Sequence, residues 1–330
     1  MDVVFLLASF AVILSGALLF TNAIEWAGHR LGLGEGATGS VLAAVGTAMP
    51  ETLIPIVAII GGEQGSEDVA VGAIIGAPFL LATIAMALVG ISALAFRGRR
   101  EQGARLEVDV PTLDRDLAFF LIFFAVGIAV GLGVPDGAQI PLAIVFAIAY
   151  AVYVRWTLRG GGAVPEADEI SPLYMDRSKD DQPTTGSIVL QLAVGLGAIV
   201  GGAHLFVEEL VTLAEDIGIE PLVLSLVLAP LATELPEKAN SFFWVRDGKD
   251  SLALGNITGA MVFQSTIPIA FGLAFTEWDL DKFAVVSGVL GLIGGVLAFW
   301  ALRLRDRFEV GPVIAWIALF AGFVAYVALA

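Results

Sequence analysis

Two six-residue stretches hold most of the chemistry this sequence offers, Gly46-Thr47-Ala48-Met49-Pro50-Glu51 and Ala232-Thr233-Glu234-Leu235-Pro236-Glu237. In each, a threonine and a glutamate stand four residues apart, which puts them on one face of a helix. In each, a proline lacks the N–H that would bond the carbonyl four residues earlier, so the carbonyls of Gly46 and Ala232 are freed. A carboxylate, a hydroxyl and a freed carbonyl from each stretch make an oxygen cage of the kind hard cations such as Ca²⁺ prefer. Both stretches lie in apolar runs, where a carboxylate costs roughly 2.5–3.5 kcal/mol and is functional by default. Asn256, Thr258 and Gln264 add polar groups from a later apolar run, and Lys238 and Asn240 follow Glu237 closely. With Glu51, Glu234, Glu237 and Lys238 all ionised, the cluster carries −2, which one divalent cation neutralises.

The elements that must position these groups are membrane spans. The 330 residues are 58% apolar and only 15% charged, against about 45–50% and 25% in soluble domains. A spanning helix needs roughly 20 mainly apolar residues. Such runs fall at about 3–24, 38–61, 69–95, 116–134, 140–158, 187–207, 221–245, 250–275, 283–303 and 310–329. The first lacks a basic n-region and is expected to be a span rather than a signal peptide. The stretch 160–186, rich in Gly, Pro, Asp and Glu, reads as a flexible, solvated linker between five spans and five. The fold class expected is therefore an all-α polytopic membrane protein of ten transmembrane helices, with residues 1–159 and 187–330 as its halves.

Fifteen of the 17 basic residues fall on one side of these spans, from Arg30 and Arg97 through Arg246 to Arg307. By the distribution of positive charge that side is the cytoplasm. A multi-pass protein of the plasma membrane follows, with both termini outside and a cytoplasmic linker. The net charge of −16 argues against nucleic acid as a partner. Without cysteine there is no thiolate metal site and no cysteine nucleophile. No cofactor is implied, and the partners implied are inorganic cations and the lipid bilayer, with no protein partner.

The halves repeat each other. A shift of 186 positions aligns 16–51 with 202–237 without a gap, and eleven positions are identical, Thr47/Thr233, Pro50/Pro236 and Glu51/Glu237 among them. Beyond a three-residue length difference, Gly72 and Gly76 fall against Gly255 and Gly259, which are expected to allow close helix approach. Because each half has five spans, the two enter the membrane from opposite sides. Paired motifs in inverted repeats are the architecture of secondary transporters, with the site near the bilayer midplane. The repeats are unequal: Ala48, Thr52, Ala73 and Leu81 of the first stand where the second has Glu234, Lys238, Asn256 and Gln264.

Other roles stay open for some of these groups. Glu234 and Lys238, at i and i+4, fit an intrahelical salt bridge or an ion-handling role. Asn256 fits a ligand or an interhelical hydrogen bond, while the position of Gln264 favours a ligand. His204 and Glu208 read as interface residues, His29 as a loop residue, and Gly288, Gly291, Gly294 and Gly295 as small-residue packing. A passive divalent-cation channel and an intramembrane glutamate-dependent enzyme are the competing classes. The chain has no HExxH and no Ser/Lys pair in a span, so it is not expected to be an enzyme.

On these motifs the chain resembles the calcium/cation antiporter superfamily, in the branch of sodium/calcium exchangers. The resemblance covers nearly the whole chain. It implies that spans 2, 3, 7 and 8 surround the ion, that spans 1 and 6 slide as the gating bundle, and that Glu51 and Glu237 are paired calcium-binding glutamates. Thr47 and Thr233 take places at the ion cage, and the metal ligands expected in all are Glu51, Glu237, Thr47, Thr233, Gly46, Ala232, Glu234, Asn256 and Gln264. The family pattern has Ser where this chain has Ala48, Glu234, Ala77 and Ala260, and Asn or Asp where it has Leu81 and Gln264. Those positions include the family's sodium ligands, and Glu234 could carry protons instead. The function expected is Ca²⁺ export in exchange for Na⁺ or H⁺ by alternating access.

Overall fold

The computed structural model describes residues 2–31, 49–62, 64–133, 135, 137–158, 170–176, 182–305 and 308–329. Among these residues there are helices and no strand. Helix α1 runs Asp2–Arg30 and α2 Met49–Gly61; α3, Ser66–Leu80, passes through a π-helical turn, Leu81–Ala85, into α4, Met86–Ala95. Then come α5 (Val110–Val130), α6 (Gln139–Leu158), α7 (Thr185–Ile217), α8 (Pro221–Arg246) and α9 (Asp250–Gln264). The last three are α10 (Ile267–Phe275), α11 (Lys282–Arg305) and α12 (Val310–Leu329). Seven stretches are long and apolar enough to cross a membrane: 3–30, 66–95, 139–157, 185–217, 250–275, 282–303 and 310–329. The other three expected runs are helical as well, in α2, α5 and α8, although 38–48 lies outside the described residues. The chain is an all-helical, multi-pass membrane protein.

Helices α1 and α7 outlast their expected ends. The 33 residues of α7 make a rod of about 50 Å, well beyond a hydrocarbon core of about 30 Å. Glu208, Glu215 and Asp216 do not stop it, because they lie exposed on its outer face. It stops at Gly218, whose φ of 71° lets its N–H and that of Ile219 turn back to the last carbonyls. Thr184 starts it by accepting a hydrogen bond from the N–H of Ser187.

The pair α1–α7 packs through glycines. A Cβ on Gly16 would stand 2.8 Å from the Gly195 carbonyl, and one on Gly202 3.2 Å from that of Ser9. Residues 16 and 202 differ by 186 positions, and so do 9 and 195, so the two contacts are one contact seen from each repeat. The pair meets α2, α3 and α8 across an apolar layer that includes Ile13, Ile54, Val69, Ala73, Phe206 and Ala229.

Part of the linker departs from expectation. Residues 170–176 are docked on α1 and α7 rather than solvated throughout. Leu173 is buried with Ala23, Trp26 and Ile188, and the Ser171 carbonyl accepts from Asn22 Nδ2 and Trp26 Nε1 at 3.0 and 2.9 Å. The remaining linker residues at 160–169 and 177–181 lie outside the described residues.

Helices α3 and α8 approach closely at Gly72, where a Cβ would be 2.5 Å from the Leu222 carbonyl, and at Gly76, where it would meet the Leu226 carbonyl. The span over 66–95 departs from α-helix at Leu81, and that over 250–275 breaks after Gln264, at Ser265 and Thr266. Leu81 and Gln264 are equivalent in the repeats. The glycines of α11 serve packing, as read from sequence: Gly294 abuts the Ala82 carbonyl in the π-helical turn, and Gly291 lies against Phe79 and Phe124.

Candidate functional site

Glu51 lies near the start of the described part of α2 and is buried. It lines a cavity of about 10 Å³ together with Ile54, Ala73, Ala77, Ala229, Pro230 and Thr233. That is room for about one water-sized body. The walls come from α2, α3 and α8, so groups on both sides of the linker enclose one small space. Thr233 is buried and donates its hydroxyl to the Ala229 carbonyl at 3.1 Å, which leaves its oxygen able to accept. Ala232 lies half-buried in the same unbroken helix. Gly46 and Thr47 lie outside the described residues, as does the side chain of Glu237.

Beyond Thr233 a second cluster is wholly side-chain built. Glu234 and Lys238 are each 1% exposed, and Lys238 Nζ lies 3.5 Å from Glu234 Oε2. The same ammonium donates to Asn256 Oδ1 of α9 at 2.9 Å. Gln264 Nε2, at the C-terminus of α9, donates to Glu234 Oε1. The salt bridge read from the i, i+4 spacing is present, and Asn256 makes an interhelical hydrogen bond. The four residues thus form one chain of contacts between α8 and α9.

The expectation for the four glycines holds for one repeat. Gly72 and Gly76 take the carbonyls of α8 against them, whereas a Cβ on Gly255 or Gly259 would meet nothing within 4 Å among the described residues. His204 and Glu208 are exposed.

A family model described as sodium/calcium exchanger protein matches residues 1–159 and 187–329. The chain belongs to the sodium/calcium exchanger family. It is a membrane transport protein and not an enzyme. A protein of Alkalimonas amylolytica provisionally named antiporter CaxA is 24% identical over 302 residues, which is 92% of this chain and 89% of that one. The sodium/calcium exchanger MaX1 of Methanosarcina acetivorans is 34% identical over 93 residues, 28% of this chain and 26% of its own. The fold matches that of the H⁺/Ca²⁺ exchanger CAX with a TM-score of 0.73 at 21% identity, over 98% of this chain and 81% of that one. The sodium-calcium exchanger NCX_Mj matches with a TM-score of 0.61 at 21% identity, over 98% and 97%.

Two buried carboxylates of this exchanger-family chain were not singled out by sequence, Asp116 and Asp250, the latter paired with Arg100. Asp116 of α5 is 2% exposed. It accepts from Thr258 Oγ1 of α9 and Tyr153 OH of α6, each at 3.0 Å, and from Arg115. It is the first residue of the apolar run 116–134, next to Arg115. The hint was Thr258, a second polar residue beside Asn256 in the expected span 250–275.

Proposed function

We propose that this chain is a secondary active antiporter that exports Ca²⁺ in exchange for Na⁺ or H⁺ by alternating access. Ten spans, as two inverted five-helix repeats joined by a cytoplasmic linker at 160–186, cross the plasma membrane with both termini outside. The ion sits near the midplane between Glu51 and Glu237, with Thr47, Thr233 and the carbonyls of Gly46 and Ala232 completing its oxygens. Glu234, Asn256 and Gln264 form the polar wall on the second repeat's side.

The observation that carries this reading is the cavity of about 10 Å³ in which a buried carboxylate from one repeat meets a threonine from the other. Such a space suits a dehydrated cation held at 2.3–2.6 Å by oxygens and is too small for an organic substrate. The reciprocal contacts Gly16–Gly195 and Gly202–Ser9 support an inverted pair. So does the departure from α-helix at Leu81 and directly after its equivalent, Gln264.

Alternating access needs a body that moves past the ion, and α1 with α7 suits that role. Between described residues, the side-chain hydrogen bonds of α1 and α7 stay within the pair or reach the linker. The layer facing α2, α3 and α8 is aliphatic and aromatic, so the pair can slide without breaking polar contacts.

The test is ⁴⁵Ca²⁺ uptake into proteoliposomes under an imposed Na⁺ gradient and, separately, a pH gradient. Wild type is expected to accumulate Ca²⁺ under one of them, and Glu51→Gln to lose at least about a hundredfold of the rate, consistent with removing a charged ligand from a buried site. Uptake under neither gradient, with Glu51→Gln equal to wild type, overturns the calcium reading.

A further inference from the structure

Lys238 is an ammonium placed where a cation site would be. It is among the largest fully buried side chains, and a buried charge is tolerated in a membrane only when it is paired or serves a function. Its Nζ lies among oxygens from two helices, 3.5 Å from Glu234 Oε2 on α8 and 2.9 Å from Asn256 Oδ1 on α9. The other Glu234 oxygen is held by Gln264 Nε2. Gln264 Oε1 is buried and has no hydrogen-bond partner among the described residues, which adds a third acceptor to the neighbourhood. A carboxylate and amide oxygens from converging helices are what a dehydrated monovalent cation would be given.

The first repeat contains no counterpart. The positions equivalent to Glu234, Lys238, Asn256 and Gln264 are Ala48, Thr52, Ala73 and Leu81. The anion and the cation are thus found together in one repeat and are both missing from the other. On the antiporter reading, which sets Glu51 and Glu237 at the ion, a carboxylate introduced alone would bring the charge to −3. Lys238 returns that to −2, the charge of one bound Ca²⁺ with opposite sign.

We propose that the Lys238 ammonium is a tethered cation occupying a monovalent-cation subsite beside the transported ion, and that it sets how many diffusible cations exchange for each Ca²⁺. The proposal rests on the antiporter reading above. While Lys238 is in place, Glu234 and Asn256 serve it, and the diffusible ions are left with the remaining oxygens. With a neutral residue at 238, the same oxygens take up one Na⁺ from solution, which, unlike a tethered ammonium, leaves when Ca²⁺ binds.

The experiment is equilibrium ⁴⁵Ca²⁺ binding to the purified full-length protein as Na⁺ is raised, at an alkaline pH where carboxylates stay ionised. In Lys238→Met, the slope of log Ca²⁺ affinity against log Na⁺ concentration is expected to become steeper by about one ion than in wild type. The charge-balanced Glu234→Gln/Lys238→Met protein is expected to return to the wild-type slope. Glu234→Gln alone leaves Lys238 uncompensated and is expected to weaken Ca²⁺ binding roughly a thousandfold, the effect of one unit charge about 4 Å away at an effective dielectric near 20. The double variant is expected to recover that loss, which keeps the test open should Lys238→Met alone fail to fold. An unchanged slope in Lys238→Met overturns the proposal, as does a double variant no better than Glu234→Gln. A wild type that binds no Ca²⁺ overturns the antiporter reading instead, so the two failures are distinct.

Discussion

The α2–α3 region beside the cavity and the α8–α9 cluster beyond it come from repeated sequence, yet they fill their space differently. Around Glu51 the neighbours are small and apolar, Ala73 and Ala77, and a cavity of about 10 Å³ is left. Around Glu234 stand Lys238, Asn256 and Gln264, at the equivalents of Thr52, Ala73 and Leu81, and the space is occupied by their contacts. Ala73 and Asn256 are the plainest pair. The alanine bounds an open space, whereas the amide at its counterpart spends its oxygen on an ammonium. A duplicated scaffold fixes where groups can stand. Which half keeps room for an ion is decided by a few side chains.

The largest effect should come from erasing the room in the first half. Ala73→Leu adds three carbons to the wall of the cavity lined by Glu51 and Thr233, and the cost of overpacking is typically ~1–3 kcal/mol. The protein is expected to fold, because Ala73 adjoins an apolar layer that can absorb some of the volume, but Ca²⁺ binding should fall by roughly two orders of magnitude, a loss of about 2.7 kcal/mol. Isothermal titration with Ca²⁺ beside a thermal melt separates the two. Binding at wild-type strength in a folded Ala73→Leu protein would remove the cavity from the site.

A smaller effect tests whether equivalent glycines are equivalent in packing. A Cβ on Gly76 would run into the Leu226 carbonyl and Pro230, whereas one on Gly259 would meet nothing within 4 Å among the described residues. Gly76→Ala is therefore expected to cost ~1–3 kcal/mol and Gly259→Ala close to nothing. The readout is the midpoint of thermal unfolding in detergent, lowered in the first variant only. Equal midpoints would mean that α3 and α8 can part without cost.

Smaller still is the contact that steadies α9 from behind. Thr258→Val removes one of the hydrogen bonds to buried Asp116 and leaves those from Tyr153 and Arg115. Interhelical hydrogen bonds of this kind average ~0.6 kcal/mol with a maximum near 1.7, so a loss of about 1 kcal/mol is expected. Chemical unfolding measures it, and Asp116→Asn, which touches three partners, should cost more.

Much of the frame was legible before any coordinates. The apolar runs matched helices, the spacing of Glu234 and Lys238 matched an ion pair, and the glycines of α11 proved to be packing surfaces. What composition cannot give is which face meets which across the bundle. Asp116 and Thr258 are 142 positions apart, and nothing local to Asp116 marks it as buried. The ends of α1 and α7 were missed because a charge in a sequence reads as the edge of the membrane, while on a long helix it can continue on the outer face. Lys238 shows the limit in another way. Salt bridge and interhelical glue were weighed as separate roles for Glu234 and Asn256, and one ammonium joins them.

The same comparison can be carried to the two ends of the α1–α7 pair. At one end Gln191 Nε2 donates to the Leu19 carbonyl and to Asn22 Oδ1, while its Oε1 accepts from the N–H of Met175 at 2.8 Å. By the shift of 186, the counterparts of Gln191 and Asn22 are Phe5 and Glu208, both exposed, so the polar dock exists at one end only. It ties residues 170–176 to the two helices that the antiporter reading sets in motion, and the segment must then travel with them rather than hold them still. Gln191→Leu removes the acceptor for Met175 and is expected to speed hydrogen exchange at that amide about fivefold, the counterpart of one hydrogen bond worth about 1 kcal/mol. Exchange at Val69 and Val71, buried in α3 away from the dock, should not change. If the Met175 amide exchanges no faster in the variant, the segment is held by its other contacts, Leu173, the Ser171 carbonyl and the Tyr174 N–H among them, and Gln191 serves only to join α1 to α7.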